Sequence, residues 1–143
     1  MTVVCNTSPI SNLAVIGQLD LLRQVYGAIV IPDAVANEVA RISPNYRQAA
    51  MVPTFSWIEI IKVKSRAAVD DLLQQQKLDL GEAEAIILAI DLNANLLIID
   101  EQLGRSVAKQ KGLEITGLLG ALLEAKSKGI ILHVKPIVDD LVA

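Results

Sequence analysis

Short, unbroken apolar runs alternate along this chain with longer stretches whose apolar residues recur at helical spacing, so strands are expected to alternate with helices. The clearest stretch is Gly81 to Glu101, GEAEAIILAIDLNANLLIIDE. Acidic residues open a helix that runs to about Asp91, Asn93 and Asn95 suit a turn, and Leu96 to Ile99 reads as a strand. The middle of that helix, Ala85 to Ile90, is apolar on every side, so it is expected to lie buried between other layers. The strand is apolar without alternation, as a parallel strand covered on both faces would be, and it stops on Asp100 and Glu101.

The same alternation extends both ways. Thr2 to Cys5 is the expected first strand and ends at Asn6. Thr7-Ser8-Pro9 then starts a helix, with Gly17 separating it from a second helix that Gly27 closes. Ala28 to Ile31 is a second strand, and Pro32-Asp33 opens a helix to about Arg41 whose inward face carries Ala34, Val35, Val39 and Ile42. Residues 43–57 hold two prolines and no steady period, which predicts a loop with one helical turn at Tyr46 to Met51. Ile58 to Val63 is a strand or edge segment, Ala67 to Gln76 a helix, the segment after Glu101 to Lys111 a helix stopped by Gly112, Leu113 to Thr116 a last strand, and Leu118 to Lys128 and Lys135 to Val142 two final helices. This pattern predicts an α/β fold in one domain, a three-layer sandwich with a parallel sheet flanked by helices on both faces.

Composition sharpens the picture in three ways. At 143 residues, 52% hydrophobic but only 3% aromatic, the chain needs an aliphatic core and is expected to form an oligomer, a homodimer or higher, or to have an obligate partner. A formal net charge of −3 gives no global pull toward nucleic acid, so any such contact rests on local groups: Lys62, Lys64 and Arg66; Arg105, Lys109 and Lys111; or Lys126, Lys128 and Lys135. Each also reads as an ordinary solvated surface. The single cysteine, the lack of a leader-like start and the shortness of every apolar run point to the cytoplasm and to no membrane span.

Candidate chemistry gathers at four positions: Asn6 after the first strand, Glu38 on the apolar stripe of its helix, Glu82 opening the buried helix, and Asp100 at the end of its strand. Glu38 either pairs with Arg41 or a neighbouring Lys, or aims a carboxylate into a cleft. Glu82 and Glu84 also suit the helix dipole, Asp100 suits a cap on the following helix, and Asn6 suits a turn. Converging carboxylates repel unless a cation lies between them, and hard divalent ions such as Mg²⁺ or Mn²⁺ choose oxygen ligands. Other chemistries lack their residues. One Cys and one His, Cys5 and His133, do not make a zinc site, and neither G-x-G-x-x-G nor G-x-x-x-x-G-K-[ST] occurs.

Taken together, Asn6-Thr7-Ser8-Pro9-Ile10, Ile31-Pro32-Asp33-Ala34-Val35 with Glu38, Gly81-Glu82-Ala83-Glu84-Ala85-Ile86, Ile98-Ile99-Asp100-Glu101 with Gly104-Arg105, and Gly117-Leu118-Leu119 resemble the PIN domains, and more closely an uncharacterised prokaryotic branch related to VapC-type toxin ribonucleases. The resemblance covers nearly the whole chain. It implies a metal-dependent ribonuclease, RNA as substrate, and, for a toxin of that type, an antitoxin protein as partner. It implies Glu38, Glu82 and Asp100 as catalytic acids, Asn6, Glu38, Glu82, Asp100 and Glu101 as ligands of Mg²⁺ or Mn²⁺, and Thr7, Ser8 and Arg105 as substrate contacts. The chain departs from the pattern at the first acid, where Asn6 stands in place of Asp. An amide oxygen can coordinate a metal but brings no charge and cannot act as a base. Glu84 and Glu101 are the nearby acids available to compensate. The alternative is a catalytically weak or inactive PIN-like protein that acts by binding RNA or protein.

Overall fold

The computed structural model describes residues 1–42 and 44–143, leaving Ser43 aside. Its centre is a sheet of five parallel strands: β1 (Val3–Cys5), β2 (Ile29–Pro32), β3 (Ile58–Ile61), β4 (Leu96–Ile98) and β5 (Ile115–Thr116), in the spatial order β3-β2-β1-β4-β5. The chain grows from β1 to one edge, then returns to β1 and grows to the other. The point of reversal lies between β1 and β4, where Val3, Val4 and Cys5 pair with Leu96, Leu97 and Ile98. Crevices outside the carboxyl ends of strands at such a reversal are where open α/β sheets bind ligands.

Period-two alternation divides the strand residues between two cores. Val3, Cys5, Ile29, Ile31 and Ile98 face one layer, made by α1 (Thr7–Val15), α2 (Asp20–Tyr26), α3 (Asp33–Ile42), α4 (Arg47–Met51), α8 (Leu118–Ser127) and α9 (Lys135–Val142). Val4, Leu97 and Ile99 face the other, made by α5 (Arg66–Gln75), α6 (Leu80–Asp91) and α7 (Gln102–Gln110). The expected three-layer sandwich is therefore present. α6 is buried from Gly81 to Ala89, as its apolar middle predicts, although Ile90 at its end is 40% exposed. No helix among the described residues is long and apolar enough to cross a membrane.

Several boundaries differ from the sequence reading for identifiable reasons. Pro32 is the last residue of β2 and α3 begins at Asp33; a strand end is a place where the missing N–H of proline is tolerated. The helical turn expected at Tyr46 to Met51 is present as α4, and what differs is a second, tight helical turn at Val52–Thr54; together they bury Ala49 and Val52 against the α3 side of the core, while Ser43, at the start of the expected loop, lies outside the described residues. The last strand shrinks to Ile115–Thr116 at the sheet edge. α6 begins at Leu80, with Asp79 as its N-cap: the Asp79 side chain accepts from Glu82 N–H at 2.7 Å while Glu82 Oε1 accepts from Asp79 N–H at 3.0 Å. The D-x-x-E spacing before an apolar run was the available signal for this capping box.

Candidate functional site

Each candidate is carried to the carboxyl edge of the sheet by a different element. Asn6 follows β1 and donates its backbone N–H to Ile98 O at 2.9 Å, which ties it across the reversal point to β4. It holds the N-cap position of α1, yet its side chain makes no capping bond. Its Oδ1 is buried and finds no hydrogen-bond partner among the described residues. The turn-residue reading thus explains its backbone and leaves its side chain without a task.

Thr7, next along, donates its hydroxyl proton to Glu38 Oε2. That bond accounts for a charge on the inward stripe of α3. Of the two readings of Glu38, the pairing with Arg41 or a lysine gives way to a bond to the start of α1, which keeps the carboxylate at the sheet edge. The same carboxylate rests against Gly81, at the start of α6: a methyl group built there would stand 2.5 Å from Glu38 Oε1.

Glu82 carries the most perturbed acid in this region. Burial pushes its pKa up, the charges of Asp79 and Glu101 push the same way, and the N–H bond from Asp79 only partly opposes them, leaving it at about 7. One oxygen serves the capping box, whereas Oε2 is buried without a hydrogen-bond partner among the described residues and lies against Gly104 of α7. The large majority of buried side-chain polar atoms in folded proteins have a hydrogen-bond partner, so two such oxygens at one sheet edge call for an external one.

Asp100 follows β4 and accepts from Leu118 N–H at 2.7 Å, so it caps α8 and not the helix that follows it in sequence. Arg105 Nη1 donates to Ile99 O at 2.9 Å. Both Asp100 Oδ1 and Arg105 Nη1 stand within 3 Å of where a Cβ on Gly117 would be. Together they front two shallow grooves of about 470 and 420 Å³, one continuing along Gln102, Ser106 and Lys109, the other along Thr116, Gly120 and the exposed Leu119 and Leu123. The Asp100 charge also raises the pKa of Cys5, second to that thiol's complete burial, so Cys5 is a core residue as its strand position suggests.

Contacts therefore link the candidates in sequence: Asn6 is covalently next to Thr7, Thr7 holds Glu38, Glu38 abuts the start of α6, and Glu82 meets the first turn of α7 beside Asp100 and Glu101. Nonetheless, no group of three His, Cys, Asp or Glu side chains among the described residues stands arranged as a ligand set. Glu101 is exposed at the N-cap of α7 without a capping bond, and Ser8 is exposed. Glu84, one of the two acids available to replace the missing first one, is engaged at both oxygens: they accept from Ala34 N–H at 3.0 Å and from Arg66 at 2.8 Å, pinning α3 to α6. Arg66 thereby leaves the first of the three basic patches. Lys128 leaves the third, donating to Val25 O at 2.7 Å.

The oxygen-only donor set, with two of its buried oxygens unpartnered, fits a hard divalent cation and no softer metal. A solved structure similar to this one is a PilT N-terminus domain protein, SSO1118, from the hyperthermophilic archaeon Sulfolobus solfataricus P2. It shares 18% identity and a TM-score of 0.66, over 87% of this chain and 93% of that one, a likeness of fold alone. No curated protein matches the sequence. The family model DUF3368, described as a PIN domain, matches residues 2–143, and with the reversal-point geometry above this places the chain in the PIN-domain family.

Proposed function

We propose that this protein is a divalent-metal-dependent ribonuclease of the PIN type, and the toxin half of a toxin–antitoxin pair on its resemblance to that branch. The observation that carries the enzymatic reading is the pair of buried, unpartnered oxygens, Asn6 Oδ1 and Glu82 Oε2, at the carboxyl edge beside the sheet's reversal point. Asn6, Glu38, Glu82 and Asp100, with Glu101 at the rim, would hold Mg²⁺ or Mn²⁺. When bound, such an ion supplies Lewis acidity, stabilising charge on phosphodiester oxygens and making water a stronger acid.

The rest is the work of the chain's own groups. Thr7 fixes the rotamer of Glu38 through its hydroxyl. Glu82, with a pKa of about 7, can hold or release a proton at Oε2 at neutral pH. Arg105 is braced by the Ile99 carbonyl so that its guanidinium faces the grooves beside Asp100, where a phosphate of the substrate would lie. The test is cleavage of single-stranded RNA with Mn²⁺ by the wild type and by Asp100→Asn, a change that retains an oxygen to cap α8. Loss of cleavage in the variant supports the assignment, and equal rates discard it.

A second reading, a non-catalytic PIN-like protein that binds RNA or a protein partner, is favoured by Asn6 in place of the first acid and by the lack of a three-acid ligand set among the described residues. Calorimetry separates the two. Under this reading the wild type takes up no Mn²⁺ at millimolar concentration and Asn6→Asp restores uptake.

A further inference from the structure

Gly81 occupies the second position of α6, inside a helix, where backbone entropy makes alanine the better residue. It does not have the positive φ that would require glycine. A Cβ at Gly81 would meet Glu38 Oε1 at 2.5 Å and Glu38 Cδ and Oε2 at 2.9 Å, so its three nearest neighbours are all one carboxylate. The arrangement recurs. A Cβ at Gly104 would meet Glu82 Oε2 at 3.0 Å, in addition to Ile99 Cδ1 at 2.7 Å, and a Cβ at Gly117 would meet Asp100 Oδ1 at 2.6 Å.

The remaining glycines show nothing similar. Gly17, Gly27, Gly112 and Gly129 have positive φ and end helices, with open space or an amide nitrogen beside them, and Gly120 faces Thr116. Gly120 shares the sheet edge, beside the groove that Asp100 fronts, but meets a hydroxyl; the three that meet carboxylates each meet a different one of the three acids. We infer that Gly81, Gly104 and Gly117 are positioning residues, each seating one acid against bare backbone and so fixing where its free oxygens point. The inference rests on the proposed metal site for its purpose but not for its geometry.

Gly81 gives the clean test, because the atoms in the way belong to the far end of a flexible side chain. Alanine there leaves α6 intact and displaces only the Glu38 carboxylate. Shortening that side chain by one methylene, in the double variant Gly81→Ala/Glu38→Asp, makes room for the methyl group. In the metal-free protein, Gly81→Ala is expected to retain the wild-type melting temperature or exceed it, and to shift the Thr7 amide resonance in ¹H–¹⁵N spectra through the displaced Glu38. Calorimetric Mn²⁺ affinity is expected to fall at least tenfold in Gly81→Ala and to recover most of that loss in the double variant. An unchanged Thr7 resonance in Gly81→Ala overturns the inference, as does a double variant that binds Mn²⁺ no better than the single one. If the wild type itself takes up no Mn²⁺, the metal reading fails, and the Thr7 resonance alone decides whether Gly81 seats Glu38.

Discussion

Replacing Glu82 by glutamine should change how stability depends on pH, and the sign follows from burial. Folding raises the Glu82 pKa from an ordinary 4.5 to about 7. Below pH 4.5 both the folded and the unfolded chain hold the proton. As pH rises toward 7 the unfolded chain releases it first, so the folded state loses stability across that window, and above 7 the loss levels off. The shift sets an upper bound of about 3 kcal/mol, which solvent reaching the exposed Asp79 side of the capping box trims to roughly 1–2 kcal/mol. Glu82→Gln preserves the capping box, since an amide oxygen still accepts from Asp79 N–H, but the new side chain does not titrate. Urea unfolding of both proteins from pH 4 to 8, in EDTA, reads the difference directly. The variant should gain roughly 1–2 kcal/mol on the wild type between pH 4.5 and 7, with no further gain above that. A difference that is constant over the whole range would refute the claim that this carboxyl group is held protonated by its surroundings. Adding Mn²⁺ at pH 7 should then stabilise the wild type more than the variant, because a ligand that binds only the folded state raises stability with its concentration.

Arg66→Ala should cost about 1–3 kcal/mol in thermal unfolding, because it strips the paired cation from a carboxylate whose side chain is only 5% exposed, and Glu84→Gln/Arg66→Ala should recover part of that loss. Asp100→Ala should lose about 1 kcal/mol of stability through the α8 cap, while Asp100→Asn loses less, so a stability difference between the two measures the cap separately from any effect on cleavage. Cys5, fully buried with its thiolate further disfavoured by Asp100, should resist a thiol reagent such as Ellman's under native conditions and react only at the rate of unfolding; rapid labelling of the folded protein would contradict that placement.

The layered architecture is legible in the sequence because burial on both faces leaves a clear imprint on strands such as Val3–Cys5 and Leu96–Ile98, and because Glu38 stands out as a charge on an apolar stripe. What stays hidden is long-range. Nothing near Asp100 in sequence announces that its cap belongs to Leu118, or that Glu84 is tied to Ala34 and Arg66. Glycines 81, 104 and 117 are equally opaque: the reason for each is a side chain from another element, which local spacing does not encode. Asp79 is the exception, since its capping box is a local pattern that the sequence carries in full.

The carboxylate that closes β4 also fastens the front of α8, and that helix displays Leu119 and Leu123 to solvent. A molecule gripping those leucines and drawing the helix outward either breaks the hydrogen bond from the Leu118 N–H or drags Asp100 with it. The greasy flank and the acidic edge are thereby mechanically geared to one another, through a single proton shared between a backbone nitrogen and an aspartate.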